Sequence, residues 1–129
     1  MLDHIGFPVS NFLNSRKFYE AALEPLGIGI VMGVTAEQTG GSSHAGFGDN
    51  SKPYFWIGDG EGMLRGRFHI AFTAKSRADV DAFHRAALAM GGRDNGKPGP
   101  RPHYHEHYYA AFVLDPDGHN IEAVCHTPA

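Results

Sequence analysis

Residues 103–109 read HYHEHYY. His103, His105 and His107 stand at alternate positions, with Glu106 among them and Tyr104, Tyr108 and Tyr109 around them. Imidazole and carboxylate are the common ligands of divalent metals and the common acid–base groups. On a strand, alternate histidines would share one face and could hold one ion. The preceding GKPGPRP, however, reads as a loop, and loop histidines are seldom held rigidly enough to bind a metal well. Taken singly, each is an ordinary solvated residue. The segment leads into the strand before Glu122, so it is expected to border a site whose metal ligands lie elsewhere. His105, Tyr108 and Tyr109 are the candidates to move a proton or bind a substrate oxygen. Arg101 and Lys97 can hold an anionic group, although solvated charges are the simpler reading.

A second set is spread along the chain. His4 lies in LDHIGFPV, His69 in FHIAFTA and Glu122 in HNIEAVC. Side chains alternate faces along a strand. Ile70 and Phe72 therefore take one face, and His69 shares the other with the small Ala71. His4 likewise shares a face with Gly6. Glu122 sits mid-strand between Ile121 and Ala123, and an ionised carboxylate is costly to bury unless it is paired or bound to a metal. For either histidine alone, a hydrogen-bonded core residue is the simpler reading. Both histidines with Glu122 favour a metal site. Two histidines and one carboxylate with open positions suit Fe2+, and also Mn2+, Ni2+, Co2+ or Zn2+.

The elements that must bring these residues together follow from an internal repeat. HIGFPVSNFLNSRKFYEAALEPLG from His4 and HIAFTAKSRADVDAFHRAALAMGG from His69 align without a gap, 65 positions apart. Phe7 meets Phe72, Phe18 meets Phe83, and Ala21–Ala22–Leu23 meets Ala86–Ala87–Leu88. Each copy opens with a strand and continues as a helix. Ser10 or Asn11 caps the first helix, which ends near Glu24 because Pro25 follows. Ser76 caps the second, and Gly91–Gly92 ends it. Three short strands are expected after each helix: near 28–34, 43–48 and 54–58, then near 93–95, 109–114 and 119–125. The turn Asp115-Pro116-Asp117-Gly118 makes the last two a hairpin. The fold class is therefore α+β: two βαβββ modules related by a pseudo-twofold axis. They form one domain over 1–129, with module one at about 1–60 and module two at about 66–126. His84, His119 and His126 read as surface or end positions, and the glycine-rich stretches at 40–42 and 60–62 as turns. They lack the setting of a phosphate-binding loop.

Composition limits the function classes. With 42% hydrophobic and 19% charged residues, the chain has the balance of a globular domain. No apolar run is long enough to span a bilayer. Lysine and arginine are scattered and the net charge is −3, so no basic stripe points to nucleic acid. Cys125 is the only cysteine, which excludes an internal disulfide. With no leader-like pattern at the start, a cytoplasmic location is expected.

On DHIGFPVSN, SRKFYEAAL, HIAFTA and above all AAFVLDPDGHNIEAV, the chain resembles the vicinal oxygen chelate superfamily. This group includes glyoxalase I, extradiol dioxygenases, fosfomycin-resistance proteins and bleomycin-binding proteins. The resemblance implies curled mixed sheets around a metal cavity with ligands at His4, His69 and Glu122, a small-molecule substrate that chelates the metal, and a homodimer. If the two modules pair about the twofold axis within one chain, His4 and His69 face one another and Glu122 completes the group; in a homodimer with modules paired across chains, His4 of one chain could instead join His69 and Glu122 of another. Dioxygenase, lyase or isomerase chemistry would follow. The alternative is a metal-free drug-binding protein of the bleomycin-resistance type. One departure stands out: glyoxalase I has a glutamate ligand on the last strand of module one, where this chain has Trp56 or Ile57, depending on the alignment.

Overall fold

The computed structural model describes residues 2–34, 43–59 and 68–129. The glycine-rich stretches at 40–42 and 60–62 lie outside them. Module one runs β1 (Ile5–Pro8), α1 (Phe12–Leu23), a 3-10 turn (Glu24–Leu26), β2 (Gly29–Val34), β3 (His44–Asp49) and β4 (Lys52–Gly58). Module two runs β5 (His69–Thr73), α2 (Arg77–Ala89), β6 (Arg93–Pro100), β7 (Tyr109–Leu114) and β8 (Asn120–Cys125).

The local signals act where the sequence puts them. Asn11 caps α1, its side chain accepting from the Asn14 amide at 3.0 Å. Ser76 caps α2 in the same way at 3.1 Å from the Asp79 amide. Gly27, at φ 78°, makes the left-handed exit that a side chain would strain. In the Asp115–Gly118 turn, the Gly118 amide donates to the Asp115 carbonyl at 2.9 Å.

Each module forms its own sheet, in the orders β1-β4-β3-β2 and β5-β8-β7-β6. The first strand of each module runs parallel to the last, and β1 and β5 are edge strands. No described strand of one sheet pairs with a strand of the other. The corresponding registers are Gly6 opposite Trp56 and Ala71 opposite Glu122. This settles the choice left by alignment: Trp56, not Ile57, stands where module two has Glu122.

One side of each sheet is apolar. Phe7, Phe55, Ile57 and Phe47 of the first sheet and Phe72, Ile121, Ala123 and Val113 of the second belong to one continuous core with both helices. The modules join through aromatic contacts, Phe55 with Phe72 at 5.2 Å and Phe7 with Phe68 at 4.5 Å between ring centroids. They also join through polar bonds. The buried Tyr19 hydroxyl donates to the Asp115 carboxylate at 2.5 Å, and Ser10 bonds Asp117 through its amide and hydroxyl. Burial and the Asp115 charge hold the Tyr19 phenol well above its ordinary pKa, so it stays a donor.

Two expectations are corrected. β6 extends to Pro100, through GKPGP, where composition predicts a loop. Irregular register beside Gly96 and Gly99 lets the strand absorb those residues. His84 is buried, not on the surface, and its Nε2 lies 2.9 Å from Asp94 on β6. His119 is also buried, its ring 4.0 Å from that of Phe68.

Removing the Tyr19 hydroxyl leaves a buried carboxylate short of one donor. Tyr19→Phe is expected to lower stability by about 1–3 kcal/mol, read as a fall in the urea midpoint at unchanged slope. An unchanged midpoint contradicts the assigned link.

Candidate metal centre

Glu122 is the most constrained ionisable group on the outer face of the second sheet. It is mid-strand on β8 and only 2% exposed. Its Oε1 lies 2.8 Å from His69 Nε2, and its Oε2 accepts the Tyr108 hydroxyl. Strand alternation produces this group. Ala71 on β5 and Phe112 on β7 are the direct neighbours of Glu122, which puts His69 and Tyr108 at the rim of one face.

The hydrogen bonds fix the roles of the His69 ring. Nδ1 lies 3.0 Å from the Asn120 carbonyl oxygen, which can only accept, so Nδ1 carries a proton. In the neutral ring Nε2 then holds the lone pair, the state that binds metals. That lone pair and the Glu122 carboxylate oxygen, 2.8 Å apart, repel unless a proton or a cation lies between them. A shared proton meets that need as a hydrogen bond, and a divalent ion would meet it with one imidazole and one carboxylate as donors. The Phe112 ring lies nearly parallel to His69 at 6.1 Å, and the Arg101 guanidinium sits over its ring at 5.5 Å.

His4 is prepared in the same way at another place. Its Nδ1 donates to Asp3 Oδ2 at 2.8 Å, which leaves Nε2 as the ring nitrogen that could bind a metal. Asp3 Oδ1 in turn accepts from Lys52 Nζ at 2.7 Å. The hydrogen bonds from Lys52 and then His4 hold the Asp3 carboxyl down at about 2, so it stays ionised. Neither Asp3 nor Lys52 stands out in sequence; the only signal is an acid directly before the histidine. Within one chain His4 does not join the other two. Among the described residues, no three His, Cys, Asp or Glu side chains converge to hold a metal.

HYHEHYY divides between the two sides of β7. The loop turns back on itself, the Arg101 amide donating to the Tyr108 carbonyl and the Tyr108 amide to the His105 carbonyl. His103, His105 and His107 sit in these turns and share no strand face. Tyr108 reaches Glu122. His105 stays exposed, with its ring 5.9 Å from that of His126. Tyr109 points the other way, because it is one residue further along the strand. Its hydroxyl donates to Asp81 on α2 at 2.7 Å, and Arg77 covers its ring. The expectation that Tyr109 borders the same site is therefore corrected.

The profile of the Glyoxalase/Bleomycin resistance protein/Dioxygenase superfamily matches residues 1–123. The chain belongs to this superfamily. Its fold is similar to that of a glyoxalase/bleomycin resistance protein from Albidiferax ferrireducens T118, at 29% identity and a TM-score of 0.75. That likeness covers 97% of this chain and 98% of the other. It is also similar to glyoxalase I from Zea mays, at 21% identity and a TM-score of 0.70. There the alignment takes in 97% of this chain but only 46% of the maize chain, so this chain spans about half of that protein. A third similar fold is the fosfomycin resistance protein FosX from Listeria monocytogenes, complexed with Mn(II) and sulfate ion. It is 20% identical, with a TM-score of 0.66, over 98% of this chain and 93% of the other. No curated protein sequence matches the chain significantly.

For a superfamily member, the register of module one is informative. The place that corresponds to Glu122 carries the indole of Trp56.

Burial first, then the bond to Glu122 and its charge, together raise the Tyr108 phenol from its ordinary value near 10 to about 12. Tyr108 therefore keeps its proton at neutral pH. Glu122→Gln is expected to lower this pKa while leaving it above the ordinary phenol value, since burial is the larger cause. The tyrosinate absorbance lost between Glu122→Gln and the same variant with Tyr108→Phe measures it. A transition that is not lowered by Glu122→Gln contradicts the contact.

Proposed function

We propose that this chain is a divalent-metal-dependent enzyme acting on a small molecule whose two neighbouring oxygens chelate the metal. His69 and Glu122 hold the ion together with His4 of the partner subunit in a homodimer. The observation that carries this reading is the His69–Glu122 pair: a buried carboxylate 2.8 Å from the Nε2 of an imidazole whose Nδ1 is committed to the Asn120 carbonyl. His4, with Nδ1 committed to Asp3, supplies the same kind of donor atom. The dimer is favoured because His4 stands apart from the pair within one chain, and because β1 and β5 are both edge strands available to another copy.

When bound, the metal acts as a Lewis acid that stabilises negative charge on the substrate's oxygens. Tyr108 holds a proton beside Glu122 and is the group placed to give a hydrogen bond or a proton to a substrate oxygen. His105, at the exposed rim, is the second candidate for proton exchange. Trp56 weighs against the glyoxalase I reaction, because it removes the module-one glutamate that serves there as ligand and base. Dioxygenase or lyase chemistry in the cytoplasm fits the remaining residues better.

A complementation experiment tests the shared centre. His4→Ala and His69→Ala homodimers are each expected to lose Mn2+ affinity by about 100-fold or more, since even residues behind the ligands cost roughly 10–100-fold. A doubly tagged heterodimer of the two variants regains one intact centre, read by calorimetry as one Mn2+ per dimer. No regained binding overturns the shared centre. Wild-type protein that takes up no divalent metal points instead to a metal-free small-molecule binder.

A further inference from the structure

The outer face of the first sheet carries a groove of about 820 Å³ with His4 at its edge. Trp56, the only tryptophan in the chain, is among the residues that line it. The neighbours of that indole are unusually small. Gly6 and Gly46 are its direct partners on β1 and β3. A methyl group added at Gly46 would come within 2.8 Å of the ring and 2.9 Å of Pro53, and one at Gly6 within 3.1 Å of the Trp56 Cβ. Gly58, Pro8 and Pro53 continue the lining, and the charged pair Asp3–Lys52 stands at one end. Glycines thus let the indole lie against the sheet, and neither of its direct strand partners has a side chain to cover it. Trp56 is only partly buried, although it is large and apolar. At the matching place in module two the side chain is a carboxylate.

We infer that Trp56 is a specificity-determining residue: it stacks with a flat aromatic ring whose two adjacent oxygens reach toward the His4 edge of the groove. Module one thus contributes a histidine ligand and an aromatic platform, and module two contributes the imidazole–carboxylate pair. This rests on the metal reading above for the direction in which the oxygens point; the platform itself rests on the groove. A stacked ring gains from offset or edge-on contact with the indole in addition to the area it buries.

The test uses the full-length protein, with Trp56 as its own fluorescent reporter. Mn2+ binding is measured first by calorimetry, which reads the metal centre alone. Catechol, an aromatic ligand with adjacent oxygens, is then compared with glycolate, which has adjacent oxygens and no ring. Catechol is expected to quench Trp56 emission saturably. Trp56→Leu is expected to weaken catechol about tenfold, while glycolate and Mn2+ binding stay within about twofold. Gly46→Ala, which presses on the indole without removing it, should weaken catechol in the same direction. Saturating catechol without any change in emission, or equal loss of both ligands in Trp56→Leu, overturns the platform. If Mn2+ does not bind but catechol still quenches, the metal reading fails and the platform stands.

Discussion

A carboxylate withdrawn from water in the middle of a strand is the constraint around which this molecule is arranged. Glu122 is almost wholly covered, yet it faces no arginine or lysine among its described hydrogen-bond and ion-pair partners. Its partners are an imidazole and a phenol. Both are groups that exchange protons, and the imidazole is a metal ligand by nature. A structural role alone would be served more simply by an apolar residue, because burying an ion costs several kcal/mol in real proteins even after relaxation. The proposed metal site gives that arrangement a purpose.

Duplication makes that site possible. In each module the first strand runs beside the last, so a residue near the start of the module and one near its end share a face. In module two this brings together His69 and Glu122, 53 positions apart. In module one the same geometry brings His4 near Trp56. The two halves have diverged in chemistry while keeping their register. The joint between them is apolar and aromatic, secured by Tyr19 on Asp115 and Ser10 on Asp117. That joint occupies the inner faces.

Much of this was legible in the sequence because it is periodic. The repeat gave both modules, the capping residues gave the helix starts, and alternation put His69 on the face opposite Ile70 and Phe72 and Glu122 on the face opposite Ile121 and Ala123, each on its own strand. What was not legible depends on contacts between distant elements. His84 is buried because β6 brings Asp94 to it, which helical spacing cannot reveal. GKPGP has the composition of a loop, yet it pairs with β7 through an irregular register. In HYHEHYY, the choice between Tyr108 and Tyr109 turned on a single residue of strand phase. Asp3 and Lys52, which orient His4, gave no signal apart from the acid next to that histidine. Trp56 could be placed opposite Gly6 only once the strands were paired.

The most direct measurement is anomalous diffraction from crystals of the wild-type protein grown with Mn2+. The account predicts a peak within about 2.0–2.6 Å, the usual span of protein–divalent metal bonds, of both His69 Nε2 and a Glu122 carboxylate oxygen. His4 from a second chain should complete the set. Full Mn2+ occupancy elsewhere, with His69 still bonded directly to Glu122, would contradict it.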